Sequence, residues 1–152
     1  MPLKTTQKPA LASHFLLGNQ LCFALYSTSL AMTRLYKPLL TPLGLTYPQY
    51  VVMLALWEQD GISVSKLGER VFLDSGTLTP LLKRLEAAQL ISRQRQAHDE
   101  RHVHVSLSTA GKALQVRAAD IPGCVGQALQ CDWTAVQKLT RQLQSLRKNL
   151  LV

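Results

Sequence analysis

The chemistry available to this 152-residue chain centres on three widely spaced cysteines, Cys22, Cys124 and Cys131. An odd count without a Cys-x-x-Cys pair argues against a disulfide scaffold and against a zinc ribbon. Cys22 lies in an apolar segment, where a cysteine packs as a small hydrophobic residue unless hydrogen-bond donors or positive charge stabilise its thiolate. The segment by itself leaves open whether Cys22 is packed or reactive.

Tyrosines near Cys22 in the helical pattern are candidate hydrogen-bond donors. On a helix of about 100° per residue, Tyr26 and Tyr36 both project within about 40° of Cys22. Tyr26 is one turn away, whereas Tyr36 lies about 21 Å along the axis and cannot reach the sulfur of its own helix. Tyr36 can reach the Cys22 of an antiparallel helix in a two-fold dimer, and Tyr47 begins the next helix near the same place. Phenol O–H groups therefore make a reactive Cys22 possible.

A second pattern combines hydroxyl and basic residues on a predicted helix from Asp74 to Gln89 and on the polar hairpin that follows. Free N–H groups at a helix start favour phosphate, and an arginine on a hairpin tip can enter a narrow minor groove. Asp99 stands two residues before Arg101 and can orient it through a weak, exposed ion pair. An ordinary solvated helix face and a charged surface hairpin contain the same residue types. No single residue therefore distinguishes them from a DNA-binding surface. The candidate DNA-binding residues are Ser75, Thr77, Thr79, Lys83, Arg84, Arg93, Arg95, Asp99 and Arg101.

Three histidines on the same hairpin, His98, His102 and His104, have a spacing that a metal site can use. Neither a cysteine nor a pair of carboxylates completes such a site. We expect these histidines to be solvent-facing strand residues, and we expect neither a bound metal nor a cofactor.

The elements that must position these residues are mainly helical. A helical pattern begins at His14 and is expected to end near Tyr36, because Pro38 disfavours helix in the residue before it. Tyr47–Glu58 is the next predicted helix. Near the C-terminus, Pro122-Gly123 is expected to interrupt the helices.

Between these helices the order of elements indicates a DNA-reading module. Helical patterns over Ser63–Val71 and Asp74–Gln89 precede a hairpin whose second strand, Arg101–Leu107, alternates polar and apolar residues. This order is the outline of a winged helix-turn-helix. The flanking helices have more apolar surface than the module can cover, so we expect them to pair with a second subunit. The prediction is a mainly α fold with a small β-hairpin: a flexible arm at 1–13, and one domain at 14–152 with dimerisation helices at 14–45 and 108–152 and the winged helix-turn-helix at 46–107.

The composition sets outer limits on the function. Hydrophobic residues make up 47% of the chain, which excludes a disordered protein, and the formal net charge of +8 points to a polyanionic partner. The charge does not locate the module, since 61–105 has seven basic against five acidic residues, a net of +2. The chain has no apolar run of the roughly 18 residues that span a membrane and no secretory signal pattern. We expect a cytoplasmic protein that does not enter a membrane.

Four segments of the chain share a wider pattern: NQLCFALYS at 19–27, LTYPQYVVMLALWE at 45–58, LGERVFLDSGTLTPLLKRLE at 67–86 and HDERHVHVSLSTAG at 98–111. Together they resemble the MarR family, and more narrowly its organic-hydroperoxide sensors of the OhrR type. The segment around Cys22 carries the narrower resemblance, while the DER and alternating strand are shared across the family.

The resemblance implies a homodimeric winged-helix repressor, not an enzyme, that binds operator DNA when reduced and releases it when an organic hydroperoxide oxidises a cysteine. The sensing cysteine matches Cys22, and the tyrosines that bond its sulfur across the dimer match Tyr36 and Tyr47. The recognition helix falls on Asp74–Gln89 and the wing arginine on Arg101. The hydroperoxide is expected to enter an apolar pocket formed by residues such as Phe15, Phe23, Leu25 and Val51.

The resemblance also implies two fates for the oxidised cysteine: condensation with an external thiol, or a disulfide with a C-terminal cysteine of the partner subunit. In an ungapped alignment the usual resolving position falls at Gln127, between Cys124 and Cys131. Cys131 is favoured, because it precedes the Asp132 helix cap, where free amides favour a thiolate although the carboxylate opposes this.

Other functions remain open at this stage. One is a MarR-type repressor released by a non-covalent phenolic ligand, with an inert Cys22. Another is a thiol-dependent peroxidase, against which the lack of a redox relay weighs. A third is a nucleoid-type protein that binds DNA without sequence preference.

Overall fold

The computed structural model describes residues 11–151, and at 11, 12 and 99–101 it describes the backbone alone. The expected arm at 1–13 therefore lies mostly outside the described residues, and its last three residues begin the short helix α1, Leu11–His14. A 3₁₀ turn, Leu17–Asn19, separates α1 from the long helix α2, Leu21–Leu40. The helix expected from His14 thus begins seven residues later.

Helix α2 does not end near Tyr36, so that expectation is wrong; the helix continues to Leu40 with Pro38 inside it. A proline removes one backbone hydrogen bond, here the one to the carbonyl of Arg34, while the following turn can still form. The Thr41 N–H donates to the Lys37 carbonyl, and Leu40 is fully buried. Burial of Leu40 stabilises the additional turn, after which Thr41–Leu43 forms a 3₁₀ turn.

Helix α3, Tyr47–Glu58, is the central helix of the core and confirms the predicted bounds. Its start is a capping box, in which the Thr46 hydroxyl accepts from the Gln49 N–H and the Gln49 Oε1 accepts from the Thr46 N–H at 2.9 Å. Its buried residues are Gln49, Tyr50, Val52, Met53, Ala55 and Leu56.

Helices α4, Val64–Val71, and α5, Ser75–Ala87, form the predicted helix-turn-helix. Each begins with a side-chain cap: the Ser63 hydroxyl accepts from the Lys66 N–H, and the Asp74 carboxylate accepts from the Thr77 N–H. Pro80 lies inside α5. Gly76, four residues earlier, has no side chain to crowd the proline ring.

The wing consists of β2, Ile91–Gln96, and β3, Asp99–Leu107, paired antiparallel. A third strand, β1, Ile62–Ser63, pairs with β3, so the sheet order is β1-β3-β2. The sequence did not predict β1, because two residues are too few to show a period. Asp60 supports this edge, since its Oδ1 accepts from the Leu107 N–H at 2.8 Å.

Three helices follow the wing: α6, Thr109–Arg117; α7, Ile121–Ala128; and α8, Trp133–Leu150. The expected interruption lies at 118–120, between α6 and α7, and not at Pro122-Gly123, because Pro122 occupies the first turn of α7, where its missing N–H costs no hydrogen bond. Asp132 caps α8 as predicted, but no residue of α8 is buried within the chain. Within 11–151, no single helix is long and apolar enough to cross a membrane. One pair of segments has the necessary length and hydropathy when the two are taken together, but it is bent by 71°: Leu21–Leu43 and Tyr47–Glu58.

Candidate functional site

Three tyrosines form a cluster where α2 meets the start of α3. The ring of Tyr36 lies 4.9 Å from that of Tyr47 and 5.6 Å from that of Tyr50, measured between ring centroids. The fold therefore brings together Tyr36 and Tyr47, the two tyrosines expected at the sulfur. Sequence reasoning missed Tyr50, although its position one turn after Tyr47 on the same helix was an available signal.

The surroundings of the cluster favour the protonated form of the Tyr36 and Tyr50 hydroxyls. Burial raises the pKa of Tyr36 above its ordinary value, and the neighbouring Tyr50 and Tyr47 raise it further. Burial, followed by the nearby Tyr47, also raises the pKa of Tyr50. Tyr36 therefore remains a hydrogen-bond donor throughout the physiological pH range, as an activator of a thiolate must.

Cys22 lies exposed in the first turn of α2, at the end of the helix remote from the cluster. The fourteen residues between Cys22 and Tyr36 correspond to about 21 Å of helix. Tyr26, one turn from Cys22, is 64% exposed, and Phe23 is half-buried. A single chain thus holds the two halves of the predicted site apart.

A cavity of about 520 Å³ opens beside Tyr36, between α2, α7 and the start of α8. Its lining includes Met32, Tyr36, Cys131 and Trp133. Cys124 is exposed in α7 and does not line this cavity. On a regular helix Cys124 lies about 160° around from Gly126, which does line it. The two candidate resolving cysteines therefore have different surroundings, and Cys131 alone of the two shares a cavity with Tyr36.

The residues expected to form one apolar pocket lie in different surroundings within a chain. Phe15 is 82% exposed. Leu25 lines a separate cavity of about 470 Å³ against the apolar side of α8. Phe23 and Val51 are half-buried and line neither this cavity nor the one beside Tyr36.

Helix α5 carries five of the nine predicted DNA-reading residues. Leu78, Leu81, Leu82 and Leu85 face the core, so the opposite side of the helix is free. Ser75, Lys83 and Arg84 are exposed, whereas Thr79 is half-buried in a groove that Arg93 and His102 also line. Thr77 differs, because its hydroxyl donates to Asp74 Oδ2 at 3.1 Å and its N–H donates to Oδ1 at 2.9 Å. Its visible role is to complete the cap.

Arg93 is bound within the chain. Its Nη2 and Nε donate to Glu86 Oε2 at 2.7 and 3.1 Å, and its backbone N–H donates to Oε1 at 3.1 Å. These bonds hold the pKa of Glu86 below its ordinary value. They also fix the first strand of the wing to the end of α5, so a DNA contact by Arg93 stays a prediction beside this structural role.

The described part of the wing tip, 94–98, is exposed, whereas Ile91 and Val105 at the base of the wing are buried. Arg95 and His98 are exposed, and His104 Nδ1 lies 3.1 Å from Gln96 Nε2. The predicted Asp99–Arg101 ion pair lies outside the described side chains. In the described part of the chain, no group of three or more His, Cys, Asp or Glu residues is close enough to hold a metal ion.

The long helices α2 and α8 expose large apolar side chains that lack cover within one chain. Leu139 is 57% exposed and Leu150 is 71% exposed. This surface includes Leu21, Leu25, Leu30, Trp133, Leu139, Leu143 and Leu150.

Comparison with known proteins places this geometry in a family. Residues 34–116 match the family model described as transcriptional regulator SarA/Rot. The organic hydroperoxide resistance transcriptional regulator of Bacillus subtilis is 54% identical over 112 residues, which are 74% of this chain and 76% of that protein.

A solved structure from the same comparison is AbfR of Staphylococcus epidermidis, 32% identical, with a TM-score of 0.78 over 94% of this chain and 99% of AbfR. Reduced AbfR bound to DNA gives a TM-score of 0.76, over 90% of this chain and 95% of AbfR. The disulfide form gives 0.64, over 90% and 96%. Overoxidised AbfR bound to DNA gives 0.74, so the conformation described here is closer to the DNA-bound forms of AbfR than to its disulfide form. The winged helix-turn-helix and these relatives confirm that this chain belongs to the MarR family of transcriptional regulators.

Proposed function

We propose that this protein is a redox-sensing repressor of the bacterial cytoplasm. Its reduced homodimer binds operator DNA, and it releases the DNA when an organic hydroperoxide oxidises Cys22. The observation that carries the proposal is the placement of Cys131 and Tyr36 on one cavity, with Cys22 exposed at the opposite end of α2. A hydroperoxide-resistance regulator among the relatives and the reduced and disulfide forms of AbfR support it.

The dimer follows from the apolar surfaces of α2 and α8. No residue of α8 is buried within the chain, although leucines recur along it at three- and four-residue spacing. Burying such a leucine is worth about 2 kcal/mol, so two copies joined through α2 and α8 gain what one chain lacks. A two-fold arrangement with antiparallel α2 helices brings Cys22 of one subunit to Tyr36 and Tyr47 of the other.

The proposed oxidation needs no cofactor. The Cys22 thiolate, held by the tyrosine hydroxyls, attacks the terminal oxygen of the hydroperoxide. The O–O bond breaks, Cys22 keeps the terminal OH as a sulfenic acid, and the alkoxide takes a proton from solvent and leaves as the alcohol. The Cys131 thiolate of the other subunit then attacks this sulfur, the S–O bond breaks, hydroxide leaves and takes a proton from solvent, and a disulfide forms.

Cys131 is the better supported resolving residue, because it lies beside the tyrosine that holds the partner's sensing sulfur. A disulfide requires the two Cα atoms to approach to about 7 Å or less. Any shift of α8 that this needs moves the dimer interface, and thereby changes the spacing of the two α5 helices in adjacent major grooves.

The test combines electrophoresis with DNA binding. An operator is first selected from random-sequence DNA by the reduced wild-type protein. Wild type and the Cys22→Ser, Cys124→Ser and Cys131→Ser variants are then treated with cumene hydroperoxide, run without reductant, and assayed on the operator. We expect a covalent dimer and DNA release that require Cys22 and Cys131 but not Cys124.

Each other outcome has its own meaning. If hydroperoxide still releases the Cys22→Ser variant from operator DNA, the redox proposal is wrong. That result would favour release by a non-covalent ligand in the cavity of about 520 Å³. Steady hydroperoxide consumption without operator binding would indicate a peroxidase. A covalent dimer that requires Cys124 instead would reject the assignment of Cys131 alone.

A further inference from the structure

We propose that Trp57 is the positioning residue through which the tyrosine cluster controls the wing. Its indole N–H donates to the backbone carbonyl of Gly111 at 2.9 Å. This single hydrogen bond joins α3, which carries two of the cluster tyrosines, to the first turn of α6, which directly follows the wing. The inference rests on the proposed function, because it describes how oxidation at the cluster reaches the DNA-reading surface.

The sensor end of the connection is a series of ring contacts. Tyr36 lies 5.6 Å from Tyr50, and Tyr50 lies 6.3 Å from Trp57 in an edge-on arrangement. Tyr50 and Trp57 are seven residues apart on α3, two turns along the same face. Since Tyr50 is buried, at 3% exposure, it cannot follow a displaced Tyr36 without shifting against Trp57.

The wing end of the connection is tightly packed backbone. Gly111 is buried against the Leu90 carbonyl, so closely that a side chain would overlap it. The same Leu90 carbonyl accepts from the Ser108 N–H at 3.0 Å, and the Ser108 hydroxyl donates to the Gln89 carbonyl at 2.6 Å. Leu90 joins the end of α5 to β2, so the Gly111 contact lies where the reading helix, the wing and α6 meet.

The C-terminal end of α3 is also tied to α4, which makes the helix a rigid link. Arg70 Nη2 lies 2.7 Å from Glu58 Oε2, and Arg70 Nη1 donates to the Ala55 carbonyl at 3.3 Å. One end of α3 therefore carries Tyr47 and Tyr50, and the other end holds both α4 and the base of the wing.

In the reduced state the Trp57 hydrogen bond holds the base of the wing against α3. When oxidation draws Tyr36 away from its neighbours, Tyr50 shifts, the indole turns, and the bond to Gly111 breaks. The bond has two discrete states, made and broken, which is what a coupling element requires. Its loss frees the wing from the position that suits DNA.

The test measures operator affinity of full-length protein before and after cumene hydroperoxide, for wild type and Trp57→Phe. Phenylalanine keeps an aromatic ring but removes the donor. We expect the reduced-state Kd to rise about three- to tenfold, the range of one net hydrogen bond, with the oxidised-state Kd unchanged. The ratio of the two constants then falls by the same factor, while the rate of Cys22 oxidation, followed by mass spectrometry of alkylated peptides, stays the same.

Val52→Ala is the matched control, because it destabilises the same helix at a fully buried position without touching the hydrogen bond. The ratio of its oxidised-state Kd to its reduced-state Kd should equal that of wild type. An unchanged ratio in Trp57→Phe, or a parallel rise of both constants, would show a merely structural role and overturn the proposal.

A second replacement keeps the test decisive if Trp57→Phe does not fold. Benzothienylalanine replaces the indole N–H by sulfur with almost no change of shape, and it is incorporated in a Trp133→Phe background and compared with that background. Failure of the proposed function is distinguishable, because the wild type itself would then not release the operator on oxidation.

Discussion

Glu86 receives both the guanidinium and the backbone N–H of Arg93, one on each carboxylate oxygen. Charge-assisted hydrogen bonds of this kind are among the stronger ones in proteins. They join the last full turn of α5 to the first strand of the wing, so the reading helix and the wing are held in a set orientation.

The first prediction separates the structural role of Arg93 from a contact with DNA. If Arg93 acts by orienting the wing, Glu86→Ala, which also removes the bond to the Arg93 backbone N–H, should weaken operator binding at least as much as Arg93→Ala, and the double variant should be no weaker than Glu86→Ala. The measurement is operator affinity across a salt series. A phosphate contact would instead lower the slope of log affinity against log salt concentration by about one, in Arg93→Ala and not in Glu86→Ala.

The second prediction concerns the hydroxyl of Tyr36. Tyr36→Phe keeps the ring contacts with Tyr47 and Tyr50 but removes the donor proposed for the partner's Cys22. Hydrogen bonds to a charged group are worth about 1.5–3 kcal/mol, so oxidation of Cys22 by cumene hydroperoxide should slow at least about tenfold at pH 7. Tyr50→Phe, which removes a neighbouring hydroxyl from the same cluster, should change the rate far less. Equal rates in wild type and Tyr36→Phe would reject the cross-subunit contact.

The third prediction tests the close packing at Gly111. A side chain there would overlap the Leu90 carbonyl, so Gly111→Ala should lower the free energy of unfolding by about 3 kcal/mol, the upper range for overpacking. Gly126 has open space around it. Gly126→Ala, inside α7, should therefore raise the free energy of unfolding by about 0.5–1 kcal/mol through helix propensity. Urea unfolding of both variants gives the comparison, and equal effects would contradict it.

The fourth prediction concerns pH and the cap of α5. The Thr77 N–H and hydroxyl hold the pKa of Asp74 below its ordinary value of 3.8. Because the pKa is lowered in the folded state, the carboxylate stabilises the fold above pH 3.8, and this contribution is lost as the pH falls below it. Asp74→Asn keeps a good cap but does not titrate. Between pH 6 and 3 its urea midpoint should fall less steeply than that of wild type, and identical slopes would exclude this role.

Local sequence signals predicted most of the fold because they act over a few residues. The caps Thr46, Ser63, Asp74 and Asp132 satisfy the free amides of their own helices, and each one starts the helix assigned to it. The two proline signals failed for different reasons. Burial of Leu40 carried α2 past Pro38, because propensity is weak enough for burial to override. Pro122 lies in the first turn of α7, a position that suits proline, and not at an interruption.

For the site, residue types and helical spacing by themselves identified Cys22 as a thiol that its own Tyr36 cannot reach, and they singled out Tyr47. The tertiary structure decided what spacing cannot: that Tyr36 and Tyr47 meet with Tyr50, that Cys131 and not Cys124 faces the cavity beside Tyr36, and that Arg93 is bound to Glu86. These relationships join elements far apart in the chain. They depend on how the helices pack, which short-range patterns do not encode.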